Sequence, residues 1–147
     1  MSANGLGRMR IIEKGQRVNQ YLYLEILKRE LQWSDQDLHQ YNEVFMEDNT
    51  PCYRATTVKQ YLNANYHDRW IPDWPGQSPD INTIENSWAR IGKVIEARAP
   101  TNCTELIRAI LHAWYHVIKD NDCQRLVESV PNRLRALIRK RGFPMQY

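Results

Sequence analysis

Hydrophobic residues recur at helical spacing along most of this chain. Between Gln16 and Gln32, Val18, Leu22 and Ile26 form one row and Tyr21, Leu24, Leu27 and Leu31 another. Together they cover a wide face, which predicts a helix that packs against a sheet. Val58, Tyr61 and Leu62 give one apolar side to a helix predicted over Arg54 to Asn65. Ile84, Trp88, Ile91 and Ile95 recur at steps of four, three and four, so a helix starts near Ile84 and holds Glu85 in its first turn. Past Pro100, the stripe Leu106, Ile107, Ile110, Leu111, Trp114, Val117 and Ile118 predicts another helix. Asn102 and Glu105 stand at the spacing of a capping box at its start. A short helical piece over residues 122–130 follows, then a last helix opened by Pro131 and stopped by Gly142.

Other segments read as extended or irregular. Arg8 to Glu13 predicts a strand behind the flexible Gly5-Leu-Gly7, and Glu43 to Glu47 predicts a buried strand that delivers Asp48 to its C-terminal edge. His67 to Ile71 predicts a short strand before Pro72, whereas the polar run Ser34 to Gln40 predicts a loop. Pro75, Gly76 and Pro79 keep regular structure out of the loop that enters the Glu85 helix. The order is strand, helix, strand, helix, short strand and three helices. That is an α/β pattern with a helical C-terminal side, expected as one domain over residues 1–147.

Composition narrows the class. Hydrophobic residues make up 42% and charged residues 25%, ordinary for a globular protein rather than a disordered one. No apolar run approaches the roughly 20 residues that span a bilayer, and Met1 to Gly15 lacks the apolar centre of a signal peptide. The chain is therefore expected to be intracellular, with no membrane partner and no small-molecule cofactor. Cys52, Cys103 and Cys123 are widely spaced and form no Cys-x-x-Cys pair, so neither a disulfide framework nor a zinc site is indicated. His67 is a lone histidine in a polar setting and reads as a surface residue. The net charge of +3 is unevenly spread, because Arg133, Arg135, Arg139, Lys140 and Arg141 occur with no acid between Pro131 and Tyr147. Such a segment suits contact with phosphates. It equally suits a solvated helix face with cations near its C-terminus.

Two motifs carry the chemistry. Asp48-Asn49-x-Pro51, followed by Trp74-Pro-x-Gln-Ser-Pro-Asp-x-Asn-x-Ile-Glu-Asn-x-Trp88, resembles the catalytic domain of the Tc/mariner superfamily of cut-and-paste DNA transposases. Gly5-Leu-Gly7 and Ser129-Val-Pro131-Asn-Arg133-Leu134 also look like family landmarks, in family order. The resemblance implies an RNase H-like fold and a triad of two aspartates and a third carboxylate, with Asp48 second and Glu85 third. The family's first aspartate precedes the glycine landmark, as does its helix-turn-helix DNA-binding region. The 147 residues therefore read as the C-terminal part of a transposase, an N-terminally truncated RNase H-like domain. In that fold two strands lie between those at Arg8 to Glu13 and at Asp48, so marginal stability is expected of the chain alone.

The implied cofactor is Mg²⁺ or Mn²⁺, since a strand-end aspartate and a helix-start glutamate make a hard, oxygen-only site. Asp48 would serve the first metal and Glu85 the second, with Asn49, Trp74, Asn82 and Trp88 supporting the loops around them. Without the first aspartate, weak metal binding and no strand transfer are expected. The implied partner is DNA, with possible self-association and nuclear localisation. Tyr53 stands where the family commonly has histidine, and Thr83 where proline usually precedes Ile-Glu.

Each residue also has a plainer reading. Asn82-x-x-Glu85 fits a helix capping box, Asp48-Asn49 an ordinary turn signal, and Trp74 and Trp88 packing under the loop as well as stacking on bases. The alternative for the whole chain is a non-catalytic nucleic-acid-binding or protein-interaction module derived from a transposase.

Overall fold

Asn19 starts the first helix by accepting hydrogen bonds from the Tyr21 and Leu22 N–H groups, both at 3.0 Å. Those donors would otherwise have no partner at a helix start. The fold is seen in a computed structural model that describes residues 1–39, 43–48, 50–72, 74–75 and 78–141. It divides into two compact units, Arg10–Gln77 and the combination of Met1–Met9 with Ser78–Tyr147.

In the unit Arg10–Gln77, helix α1 (Gln20–Ile26) runs into a π-helical turn, Leu27–Leu31, and a second such turn covers Ser34–His39. The loop expected at Ser34 to Gln40 is thus helical over Ser34–His39. One cause is local and one tertiary. The Ser34 hydroxyl donates to the Glu30 carbonyl at 2.9 Å, and the buried Asp35 carboxylate accepts both arms of the Arg69 guanidinium, at 2.9 and 3.0 Å. Helix α2 (Thr56–Tyr66) buries Val58, Leu62 and Tyr66. These close on Leu27 and Trp70, with Tyr23, Leu24, Leu31, Phe45 and Tyr61 packed around them.

The second unit holds α3 (Ile84–Arg98), α4 (Cys103–His112) with a π-helical turn at Ala113–Val117, α5 (Asp120–Glu128) and α6 (Val130–Arg139). Its core is Ile91, Ala113, Trp114, Ile118 and Cys123, covered by Met1, Leu6, Met9, Ile84, Val94 and Ile95. At the start of α4 the Asn102 side chain caps the Glu105 N–H at 3.0 Å. The Glu105 carboxylate turns instead to the Thr101 N–H and hydroxyl, at 2.8 and 2.9 Å, which hold it below the usual carboxylate range. Only half of the expected box forms. Pro131 lies in the first turn of α6, and Gly142 lies outside the described residues.

The α/β expectation is not met by strands. Among the described residues the only pairings outside helices are isolated bridges, Ser2 with Gly5 and Phe45 with Trp70. A strand exists only as part of a repeating ladder, and alternation in sequence reports extended backbone without supplying the neighbour. At Phe45 one parallel bridge forms, with the Ile71 N–H donating to its carbonyl at 3.0 Å. Around Arg8 to Glu13 side chains take the place of a ladder. The Trp114 indole N–H donates to the Gly7 carbonyl at 2.9 Å, the Met9 N–H to the Tyr115 hydroxyl at 3.2 Å, and Arg10 pairs with Glu25 at 3.3 Å.

Candidate functional site

Asp48 follows directly on the Phe45 bridge segment and is exposed. One of its oxygens accepts the Thr50 N–H at 2.9 Å, the Asx turn that its Asp-Asn signal predicts. Asn49 itself lies outside the described residues, as do Gly76 and Gln77 of the second motif. Glu47 is half-buried, and its Oε2 accepts the Tyr23 hydroxyl at 2.5 Å. Tyr23 stacks on Tyr53, ring centroids 3.9 Å apart. Tyr53, at the family's histidine position, therefore packs as an aromatic. Burial pushes the Glu47 carboxyl and both phenols above their ordinary values. Sequence reasoning missed Tyr23 and Glu47, because nothing local joins residues 24 positions apart. Trp74 is half-buried in the same unit.

Glu85 belongs to the other unit and is exposed in the first turn of α3. The capping-box reading predicts Asn82 as the cap and Glu85 bonding back to it. In the structure the cap position is Thr83, without a side-chain cap bond, and Asn82 accepts the Ile84 N–H at 3.3 Å. Among the described residues no hydrogen bond engages the Glu85 carboxylate. It stands at the positive end of α3, where an anion is favoured. Thr83 is buried with φ −66, the value that a proline ring imposes. Trp88 is 42% exposed and stacks on Trp114 with centroids 5.5 Å apart, so packing takes one part of its surface.

The basic residues divide. Arg135, Arg139, Lys140 and Arg141 are exposed at the end of α6. Arg133 is not: its side chain, grouped with phosphate-facing cations from sequence, is 8% exposed. Its Nε donates to the Ser129 hydroxyl at 2.8 Å, Nη1 to the Asp80 carbonyl at 3.1 Å and Nη2 to the Asn86 side-chain oxygen at 3.0 Å. A guanidinium so occupied is withdrawn from solvent. Its neighbour-to-neighbour spacing in sequence resembled a charged surface, and only the tertiary fold reveals the difference. Among the described residues no group of three or more His, Cys, Asp or Glu side chains is arranged to hold a metal.

Residues 3–107 match the DDE superfamily endonuclease family. The chain is also 33% identical over 128 residues to the Tc3 transposase of Caenorhabditis elegans, covering 86% of this chain and 36% of that protein. The chain belongs to the Tc/mariner type of DDE superfamily endonucleases. The Tcb1 transposase of Caenorhabditis briggsae is 28% identical over 131 residues, 88% of this Tc/mariner-type chain and 46% of that protein. The chain thus spans less than half the length of these curated relatives. Among solved structures, the Mos1 transposase catalytic domain with Raltegravir and Mg matches at a TM-score of 0.83 and 19% identity, over 98% of this chain and 73% of that one. The mariner Mos1 paired end complex with Mg matches at 0.82 and 20% identity, over 98% and 42%. The course of the backbone is therefore that of the RNase H-like Mos1 catalytic domain, even where single bridges stand in for ladders.

Proposed function

We propose that residues 1–147 are part of one RNase H-like catalytic domain of a mariner-type transposase, and that alone they bind metal and DNA without completing strand transfer. The observation that supports this most is the state of the two motif carboxylates. Asp48 is exposed and bonded through one oxygen, and Glu85 is exposed with no hydrogen bond to its carboxylate among the described residues. Neither is consumed by packing. Both are hard oxygen donors of the kind that Mg²⁺ and Mn²⁺ take, ions that keep several waters alongside one or two carboxylates.

Asp48 would hold a first divalent ion and Glu85 a second; Mos1 structures contain Mg and Mn. When bound, such an ion supplies activation of a water or DNA 3′-hydroxyl and stabilisation of the leaving oxygen in in-line phosphoryl displacement. The chain's own contribution is orientation. The Asx turn directs Asp48 by one oxygen, and the first turn of α3 carries Glu85 at the helix start. Single carboxylates compete with the ions' preference for water, so binding is weak and strand transfer is not completed. DNA is the substrate class, the nucleus the place of action, and a second copy of the chain a further partner.

A second reading has support of its own. Arg135, Arg139, Lys140 and Arg141 present an exposed basic end of α6, which suits a non-catalytic DNA-binding module. Fluorescence anisotropy with duplex DNA over a range of salt, paired with a nicking assay in Mn²⁺, tests both. The expected result is salt-sensitive binding without cleavage, with a salt slope that falls by about one for each phosphate-contacting cation replaced by alanine. Cleavage that disappears on Asp48→Asn or Glu85→Gln would refute the lack of competence. Absence of DNA binding at low salt would refute both readings.

A further inference from the structure

We propose that Arg133 is a positioning residue for Glu85, an inference that rests on the metal-site reading above. Burying a guanidinium is costly unless its donors are met, and here Nε, Nη1 and Nη2 all are, by Ser129, Asp80 and Asn86. The acceptors are not scattered. Asp80 closes the proline-bounded loop and Asn86 follows Glu85 in the first turn of α3, so one planar fork from α6 grips both sides of the turn that carries Glu85. Ser129 is itself fixed, its hydroxyl donating to the Leu126 carbonyl at 2.6 Å. Glu85 has no side-chain hydrogen bond of its own among the described residues, so its carboxylate is aimed by its backbone. That backbone is held by Arg133 and by the buried Ile81, Thr83 and Ser87. A flexible lysine could meet one acceptor but not the pair on either side of Glu85.

The role predicts a pattern that general destabilisation does not produce. In the 147-residue chain, Arg133→Met and Asn86→Leu should each speed hydrogen exchange of the amides from Asn82 to Trp88 by about tenfold while the amides of α4 keep their rates. Asn86→Asp, which keeps an oxygen for the guanidinium, should retain native exchange there. By electron paramagnetic resonance, both disruptive variants should bind Mn²⁺ about 10-fold more weakly or worse, as losses of supporting contacts do. Arg133→Lys should not restore it. If Arg133→Met fails to fold, Asn86→Leu, which removes only one arm of the clamp, decides the matter. Uniform acceleration of exchange across α3, α4 and α5 would overturn the proposal, as would unchanged Mn²⁺ affinity in both variants of a chain that binds the ion through Glu85. If the native chain and Glu85→Gln bind Mn²⁺ identically, the metal reading is what fails. The exchange pattern then still decides whether the clamp sets the turn.

Discussion

Breaking the Asp35–Arg69 pair should cost different amounts depending on which partner is removed. Asp35 is 5% exposed and accepts both guanidinium arms, whereas the Arg69 side chain is about a quarter exposed and lies 5.1 Å from the Tyr66 ring. Arg69→Met leaves a buried carboxylate without its cation, a loss of about 3–5 kcal/mol. It also removes the cation that offsets Glu43, whose carboxyl is pushed up by burial and by Asp35. Asp35→Asn keeps an acceptor and leaves a guanidinium that can reach water, so the loss is that of a charged hydrogen bond, about 1.5–3 kcal/mol. The Asp35→Leu, Arg69→Met double variant should be less destabilised than Arg69→Met alone, because no unpaired charge stays buried. Urea unfolding of the full chain, followed by tryptophan fluorescence, reads all three. The pair also bears on the site: the Arg69 carbonyl accepts the Phe45 N–H, three residues before Asp48. Equal losses from the two single variants, or losses below about 1 kcal/mol as at an exposed surface pair, would refute the reasoning.

Glu47→Gln should flatten the dependence of stability on pH. Burial raises the folded carboxyl pKa above its ordinary 4.5, so the fold favours the protonated form. Its favourable contribution is full below the unfolded value and is lost as pH rises through the folded one. Thermal melts from pH 4 to 7 should show the native chain losing more stability than the variant, which keeps an acceptor for Tyr23, and parallel profiles would count against it. Leu62→Ala, at a side chain with 0% exposure, should lose about 2–5 kcal/mol in denaturant unfolding. Ile138→Ala, at 75% exposure on α6, should stay within about 0.5 kcal/mol; similar losses at both would show that Leu62 is not core.

The helices were legible because their signal is local. The Ile84, Trp88, Ile91 stripe and the Asn102 cap place the starts of α3 and α4 within a residue of where they form, though α4 gives way to a π-helical turn at Ala113–Val117 before the stripe ends. What was not legible depends on partners far along the chain. Ser34–His39 is helical because Asp35 finds Arg69, and Arg133 is buried because Asp80 and Asn86 meet it. The same limit explains the strands: Arg8 to Glu13 and Glu43 to Glu47 have extended sequences, but a ladder needs a neighbour that periodicity does not supply. Asp48 and Glu85 are singled out by their motifs alone, since each taken singly reads as a turn or cap residue. The structure keeps the Asn82 half of the capping box, its side chain accepting the Ile84 N–H, and lacks the return bond from Glu85 among the described residues.

The central claim, that Asp48 and Glu85 still serve a divalent ion, is tested most directly by titrating the chain with Mn²⁺ beside an Asp48→Asn, Glu85→Gln double variant. Tryptophan fluorescence and melting temperature are read together. The account predicts weak, saturable binding that raises the melting temperature of the native chain and is lost in the variant. Identical responses from the two proteins would contradict it.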